Sequence, residues 1–579
     1  MRLLALLFLF SGVAGTSACA ADSSPELPEW TAQRIFKEKD PKTDEWIKTM
    51  TLAEKVGQMI IAAIENYSPA SELKEKKSFN RLVTEGKIGG FMFLKGDVAS
   101  AAALIRHFQS IAPQPLLMSA DMERGVAMRL AGGTDFPVNM AVAAAGSTDL
   151  AEVMAGSIAD EAVTVGLHQN YAPTVDLNNN PQNPVIDTRS FGDRVEAVHV
   201  LAEAVIRGMQ ANGIMATAKH FPGHGDVTVD SHLALPVINA DREAMERYEL
   251  VPFKKAIDAG VISVMVGHLA VPELTGSMEP ASLSTSVITG ILRHDLGFRG
   301  LVITDALNMK ALYMNNTPVG EISVRAVEAG NDLLLFSPDP EASHNAIVAA
   351  VEQGRIPAGR IDDSVRRILQ AKQWLQTVTS SSETIQPCNG KTVTSRSHQY
   401  LSKKIVARSL TLLNNRDGFF PLQPSLESGP VVNLILQDRI NNETGKKYIA
   451  ALETHYQVTN IRINPGTTAF GYKKAAEQLR TAKAVLVTSF CQTISSGYFR
   501  LRDEQLAFIR SVKNLVPEKT PVVLVAIGTP YISNLFPELS SAICTYSLSD
   551  TTEELAVEAL RGNIRLQGTL PVSLSGTPR

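Results

Sequence analysis

Fourteen consecutive residues concentrate more chemistry than any other stretch of the chain. They read Lys219-His220-Phe221-Pro222-Gly223-His224-Gly225-Asp226-Val227-Thr228-Val229-Asp230-Ser231-His232. Pro222 and the two following glycines stop a helix from forming, so the residues after His220 belong to a loop. Asp230 and His232 stand two apart. Within a loop, that spacing lets a carboxylate reach one imidazole nitrogen, fix the tautomer and raise the ring's basicity. The other nitrogen can then face a substrate, first as general acid and later as base. The plainer alternative is a surface imidazole beside an aspartate that pins the loop; so polar a neighbourhood weighs against it. His220-x-x-x-His224 also has the spacing of a zinc pair on a helix, but Pro222 and Gly223 remove the helix that would put both rings on one face. No metal is expected.

A second candidate is Asp305, directly after the apolar run Leu301-Val302-Ile303-Thr304. A helix-capping aspartate is the plainer reading of an isolated Asp there. Cleaving a glycosidic bond with retention needs a nucleophile on one face of the sugar and an acid on the other, about 5–5.5 Å apart when both are carboxylates. Asp305 and the Asp230–His232 pair can fill those roles, and a histidine acid places no second negative charge beside the nucleophile. Asp121 and Glu123, Arg189, Lys219 with His220, and His268 follow or end other apolar runs. Together they describe a mouth of donors and carboxylates suited to a hydroxyl-rich ligand.

The elements that must hold these residues alternate. Apolar runs at Val56–Ile64, Gly89–Leu94, Pro115–Ser119, Leu167–Leu177, Ile214–Lys219, Ser263–His268, Leu301–Thr304 and Asp332–Phe336 are separated by amphipathic stretches. Among these stretches, one is capped by Ser147 and another spans Arg194–Gln210. Continuous apolar strands between helices mean a parallel sheet covered on both faces. Eight such units predict a (β/α)8 TIM-type barrel over 41–376, with active residues at the carboxyl ends of its strands. A Ser/Thr-rich linker is expected over 377–400. A smaller α/β sandwich domain is expected over 401–579, with strands at Val431–Gln437, Val458–Ile463, Ala484–Phe490, Pro521–Ile527 and Ala542–Tyr546 and helices at Tyr472–Leu479 and Glu504–Val516.

A chain of 579 residues is too long for one core, and a net charge of −4 gives no footprint for nucleic acid. Residues 1–20 have the charged, apolar, small-residue order of an export signal, ending either at Ala18-Cys19-Ala20 or with Cys19 as a lipidated first residue. The protein is therefore expected outside the cytoplasm, periplasmic or tethered through a lipid at Cys19, with 21–40 as a polar surface arm. The four cysteines, Cys19, Cys388, Cys491 and Cys544, are too few and too scattered for a disulfide framework.

The Lys219–Gly225 segment followed by Asp230-Ser231-His232 resembles the signature of the β-N-acetylglucosaminidases of glycoside hydrolase family 3. Tyr171–Leu177, Asn183–Gly192 and Thr304–Met309 resemble that family in the same order, and Leu410–Asn415 and Leu570–Ser573 resemble the second domain of its two-domain members. The resemblance implies a retaining exo-glycosidase with Asp305 as nucleophile, His232 as acid/base and Asp230 as its partner. It implies sugar contacts from Asp121, Arg129, Arg189, Lys219 and His220, with Arg189 near the N-acetyl group. It implies no cofactor or metal, and a carbohydrate substrate: terminal N-acetylglucosamine on muropeptides or other peptidoglycan fragments. Asp121-Met122-Glu123-Arg124-Gly125 departs from the family's usual Asp-Gln-Glu-Gly-Gly, so Met122 and Arg124 are expected to reshape the sugar site. A β-glucosidase of the same family is the nearest alternative, though such enzymes typically lack the Asp-Ser-His loop. A non-catalytic muropeptide-binding lipoprotein is an alternative of another class. Phosphate in place of water as acceptor is a variant that a histidine acid/base tolerates.

Overall fold

Eight predominantly apolar runs, each separated from the next by an amphipathic stretch, supply eight strands. The computed structural model describes residues 27–65, 76–231, 233–313, 316–380, 390, 392–422, 429–440, 443–491 and 500–574. The strands are β1 (Ile60–Ile64), β2 (Gly90–Phe93), β3 (Leu117–Ala120), β4 (Gln169–Asn170), β5 (Met215–Phe221), β6 (Ser263–Val266), β7 (Leu301–Thr304) and β8 (Leu334–Leu335). They pair in parallel in chain order, and β8 returns to β1 through Ile60 opposite Leu334. An Ile303–Leu333 bridge joins β7 to the start of β8 and completes the (β/α)8 barrel. Helices cover the outside. The one over Thr148–Val165 starts where Ser147 Oγ accepts from Leu150 N at 3.3 Å and ends at Gly166, whose φ of 98° lies in the left-handed region.

Several expectations shift at the edges. The run Val56–Ile64 splits into a helix over Leu52–Gln58 and then β1. Thr51 and Glu54 form a reciprocal capping box that starts the helix, and local capping overrides the apolar run. The run Leu167–Leu177 yields only the two-residue β4, since Pro173 has no N–H to give a ladder. The expected surface arm is partly interior: Ala32, Ile35 and Phe36 are buried, and Gln210 Nε2 donates to Trp30 O at 3.0 Å. The helix Ala358–Ser380 runs past the expected end of the barrel, and a helix over Arg396–Ser409 begins before the expected end of the linker.

The second domain is a six-stranded sheet of β9 (Thr411–Asn415), β10 (Pro430–Leu436), β11 (Gln457–Ile463), β12 (Ala484–Cys491), β13 (Val522–Gly528) and β14 (Ser541–Cys544). Its order is β9-β14-β13-β12-β10-β11, parallel except for β9, which runs antiparallel to β14. β9 was not expected from the sequence: it is a short edge strand ending in two asparagines, which strands disfavour. Helices over Ala469–Leu479 and Asp503–Leu515 stand where they were expected. Cys491 and Cys544 are buried free thiols, held above the usual thiol range chiefly by burial. Residues 1–20, Cys19 among them, and Cys388 lie outside the described residues.

The two domains share a core. A helix over Asn139–Ala144 leaves the barrel and places Met140, Ala141 and Ala144 among Val485, Leu524 and Tyr546 of the second sheet. Among the described residues, no helix is long and apolar enough to cross a membrane.

Candidate active site

The carboxyl ends of the barrel strands surround a cavity of about 520 Å³. Its lining brings together Asp121, Glu123 and Arg129 after β3, Arg189 after β4, Lys219, His220, His224 and Ser231 at and after β5, and Asp305 after β7. Met92, Leu94, Met265, Leu335 and Phe336 supply apolar wall. Apolar wall beside a few convergent charged groups is the lining expected of a small-molecule site.

The charged residues form a chain of alternating sign. Arg129 donates to Asp121 Oδ2 at 2.6 Å, and Lys219 Nζ lies 2.9 Å from Asp121 Oδ1 and 2.7 Å from Glu123 Oε1. Arg189 grips Glu123 with two parallel bonds of 3.0 and 2.7 Å. Burial alone would raise the Asp121 and Glu123 carboxyls, but the cations beside them outweigh it: Asp121 lies below its ordinary value and Glu123 well below it. Burial alone would lower Lys219, and the two carboxylates beside it hold it raised instead. Asp121, Glu123, Lys219 and Arg189 therefore stay charged near neutral pH, already bonded and oriented before a ligand arrives.

Asp176 organises the loop after β5. Its carboxylate accepts from His220 Nδ1 at 2.7 Å, from His220 N at 3.1 Å and from His224 N at 2.7 Å. Burial pushes this carboxyl up, and the neighbouring imidazole and the N–H groups more than reverse the shift. The loop is further tied by Asn183, whose Nδ2 donates to His224 O at 2.8 Å and Gly225 O at 2.7 Å. Burial, reinforced by His220, lowers His224 to about 4, so its ring is neutral at neutral pH. His224 Nε2 lies 3.3 Å from Ser231 Oγ. Asp230 is buried next to Ser231. His232 lies outside the described residues. At β7, Asp305 N donates to Val266 O at 2.9 Å, and Ala306 N donates to Asp305 Oδ1 at 2.7 Å, which orients the carboxyl where it lines the cavity.

Of the expected sugar contacts, Asp121, Arg129, Arg189, Lys219 and His220 line the cavity. His268 does not. It is fully buried, its Nε2 donating to Ala306 O at 3.0 Å and its Nδ1 2.6 Å from Ser282 Oγ. His268 holds the backbone beside Asp305 instead of facing a ligand. Met122 also departs from expectation: it is buried beneath the site, with its N donating to Asn170 Oδ1 at 2.8 Å. Arg124 does line the cavity, in an ion pair with Asp135. Asp176 was missed because it sat inside a run read as plain strand, although a carboxylate in an apolar run was the available signal. Glu123 was placed in the polar mouth but not among the expected sugar contacts; its spacing of two from Asp121 was the clue to their shared cation.

The Glycosyl hydrolase family 3 N terminal domain matches residues 51–371. A β-N-acetylglucosaminidase/β-glucosidase of Cellulomonas fimi is 28% identical over 551 residues, covering 91% of this chain and 95% of that protein. A β-hexosaminidase A of Pseudoalteromonas piscicida is 31% identical over 396 residues, 62% of this chain and 64% of that one. Among solved structures, a glycoside hydrolase family 3 β-N-acetylglucosaminidase from Paenibacillus sp. str. FPU-7 superposes with a TM-score of 0.80 at 34% identity, covering 92% of this chain and all of the other. With the family domain spanning more than half of its length, and both of its domains matched in a solved relative, this protein belongs to glycosyl hydrolase family 3 and is a glycoside hydrolase.

Proposed function

We propose that the protein is a retaining exo-glycosidase that releases terminal, non-reducing β-linked N-acetylglucosamine, and that its natural substrates are peptidoglycan fragments. Asp305 is the nucleophile, His232 the acid/base and Asp230 the partner that orients His232. The observation that carries this reading is one cavity lined by both Asp305 and Ser231 of the Asp-Ser-His loop, beside the chain of fixed charges. In the first step an Asp305 carboxylate oxygen bonds to the anomeric carbon. The bond to the leaving oxygen breaks as protonated His232 gives that oxygen its proton. In the second step neutral His232 takes a proton from water, whose oxygen displaces Asp305 from the anomeric carbon. Asp121, Arg129, Lys219, His220 and Arg189 bind the sugar, with Arg189 toward the N-acetyl group. The names of the Cellulomonas and Paenibacillus relatives support N-acetylglucosamine as the sugar. The order of residues 1–20 supports export, with the mature protein periplasmic or anchored at Cys19.

The Cellulomonas relative carries both names, which favours β-glucosidase activity as the second reading. Hydrolysis of paired aryl β-glycosides, N-acetylglucosaminide against glucoside, separates the two. The proposal expects preference for the acetamido sugar, near-complete loss in Asp305→Ala, and a smaller loss in His232→Ala on activated aryl leaving groups, which need little protonation. Preference for the glucoside, or full activity in either variant, would overturn it.

A further inference from the structure

The turn that carries Arg189 is held from the second domain. This turn spans Asp187–Arg189 and opens with Asp187 at φ 36°, a left-handed conformation that residues other than glycine adopt sparingly. Such a conformation persists when its surroundings enforce it. The Asp187 carboxylate is buried, and its Oδ1 accepts from Thr529 Oγ at 2.8 Å. Thr529 is itself fixed, with its N donating to Cys491 O at 2.7 Å and its Oγ accepting from Tyr531 N at 3.4 Å. The other end of the turn is gripped as well. Asn139 Nδ2 donates to Arg189 O at 2.7 Å, and Asn139 opens the helix whose apolar face sits in the second domain's core. Just before that helix, Val138 N donates to Ser547 Oγ at 3.0 Å.

We propose that the second domain clamps the Asp187–Arg189 turn from both sides, and that Thr529 is thereby a positioning residue for sugar binding through Arg189. The inference rests on the reading of Arg189 as a sugar ligand given above. It assigns the second domain a part in the site although, among the described residues, that domain contributes no side chain to the cavity lining. The effect works through placement. An Arg189 guanidinium fixed to Glu123 but carried on a loosened turn would present its N–H groups off target, and displacements near 1 Å are enough to be felt in rate.

The test uses the full chain. Thr529→Val keeps the shape and removes the hydroxyl, and Thr529→Ser restores it. For Thr529→Val we expect kcat/KM on an aryl N-acetylglucosaminide to fall roughly tenfold, mostly through KM, and Thr529→Ser to recover most of the loss. In an Arg189→Ala background Thr529→Val should add less than about twofold, since the two act as a unit. Amide hydrogen exchange across residues 183–192 should quicken in Thr529→Val and return to normal in Thr529→Ser. Should Thr529→Val fail to fold, Ser547→Ala loosens the other grip and is expected to move exchange and KM in the same direction. Unchanged exchange, unchanged kinetics in an active enzyme, or full additivity with Arg189→Ala would overturn the proposal. A wild type inactive on every aryl glycoside would count against the functional reading alone, since the exchange comparison still decides the clamp.

Discussion

Asp176 shows how one buried carboxylate can set the geometry of two histidines without touching the cavity. Its bonds to the His220 ring and to the His220 and His224 backbones fix the direction in which β5 delivers its side chains. Asp176→Asn preserves the shape but places an amide opposite His220 Nδ1, which disturbs the ring's tautomer. The expected outcome is a loss of roughly a hundredfold in kcat/KM, with a far-ultraviolet spectrum like the wild type's. His224 leads to a prediction about pH. Its folded pKa of about 4 lies below the unfolded value, so between pH 6.5 and 4 the unfolded chain binds a proton that the folded one refuses. Stability is therefore complete above pH 6.5 and is lost as pH falls toward 4, by up to about 3 kcal/mol from this residue. Denaturant titrations at pH 7 and 4.5 should show His224→Gln losing less stability on acidification than the wild type. His168, half-buried and also lowered to about 4 by desolvation and the nearby Lys372, adds a parallel loss that the variant retains. The identity of most pocket residues was legible from their places at strand ends. The partners that lock them were not, because Asp176 and Asn183 act through contacts distant in sequence.

At the scale of elements, the barrel depends on how its last strands close. Asp332 is fully buried ahead of β8; it accepts from Val302 N at 2.9 Å, Arg293 at 2.5 Å, Arg367 at 2.9 Å and Ser364 Oγ at 2.6 Å. Burial opposes its charge, and the three guanidinium groups of Arg367, Arg293 and Arg360 outweigh burial and hold it at about 2. Asp332→Ala would strand these cations around an empty site. It is expected to cost about 3–5 kcal/mol, read as a drop in urea midpoint with unchanged slope. The eight strands were legible because buried parallel strands are continuous apolar runs. Their ends were less so. The capping box at Thr51 turned the start of the first run into helix, and Pro173 cut the fourth short. The placement of His268 was also hidden: a histidine at a strand end can point into the mouth or back into the wall, and only packing decides which.

At the scale of the whole molecule, the second domain is built into the first. Truncation at residue 395 would leave Val138, Met140, Ala141 and Ala144 without the sheet that covers them. The isolated barrel is expected to aggregate or to bind a hydrophobic dye strongly, as light scattering or dye fluorescence would report. The two-domain division was legible from the Ser/Thr-rich break and the second strand–helix alternation. The shared core was not, because the apolar residues of Asn139–Ala144 read like any other barrel helix. Covalent trapping tests the assignment of Asp305 as nucleophile. The enzyme would be incubated with a 5-fluoro N-acetylglucosaminyl fluoride, digested with a protease, and its peptides weighed by mass spectrometry. One added glycosyl group is expected on the peptide containing Asp305, absent when Asp305→Ala is treated in the same way. A label on another carboxylate, or turnover with inversion and no adduct, would contradict it.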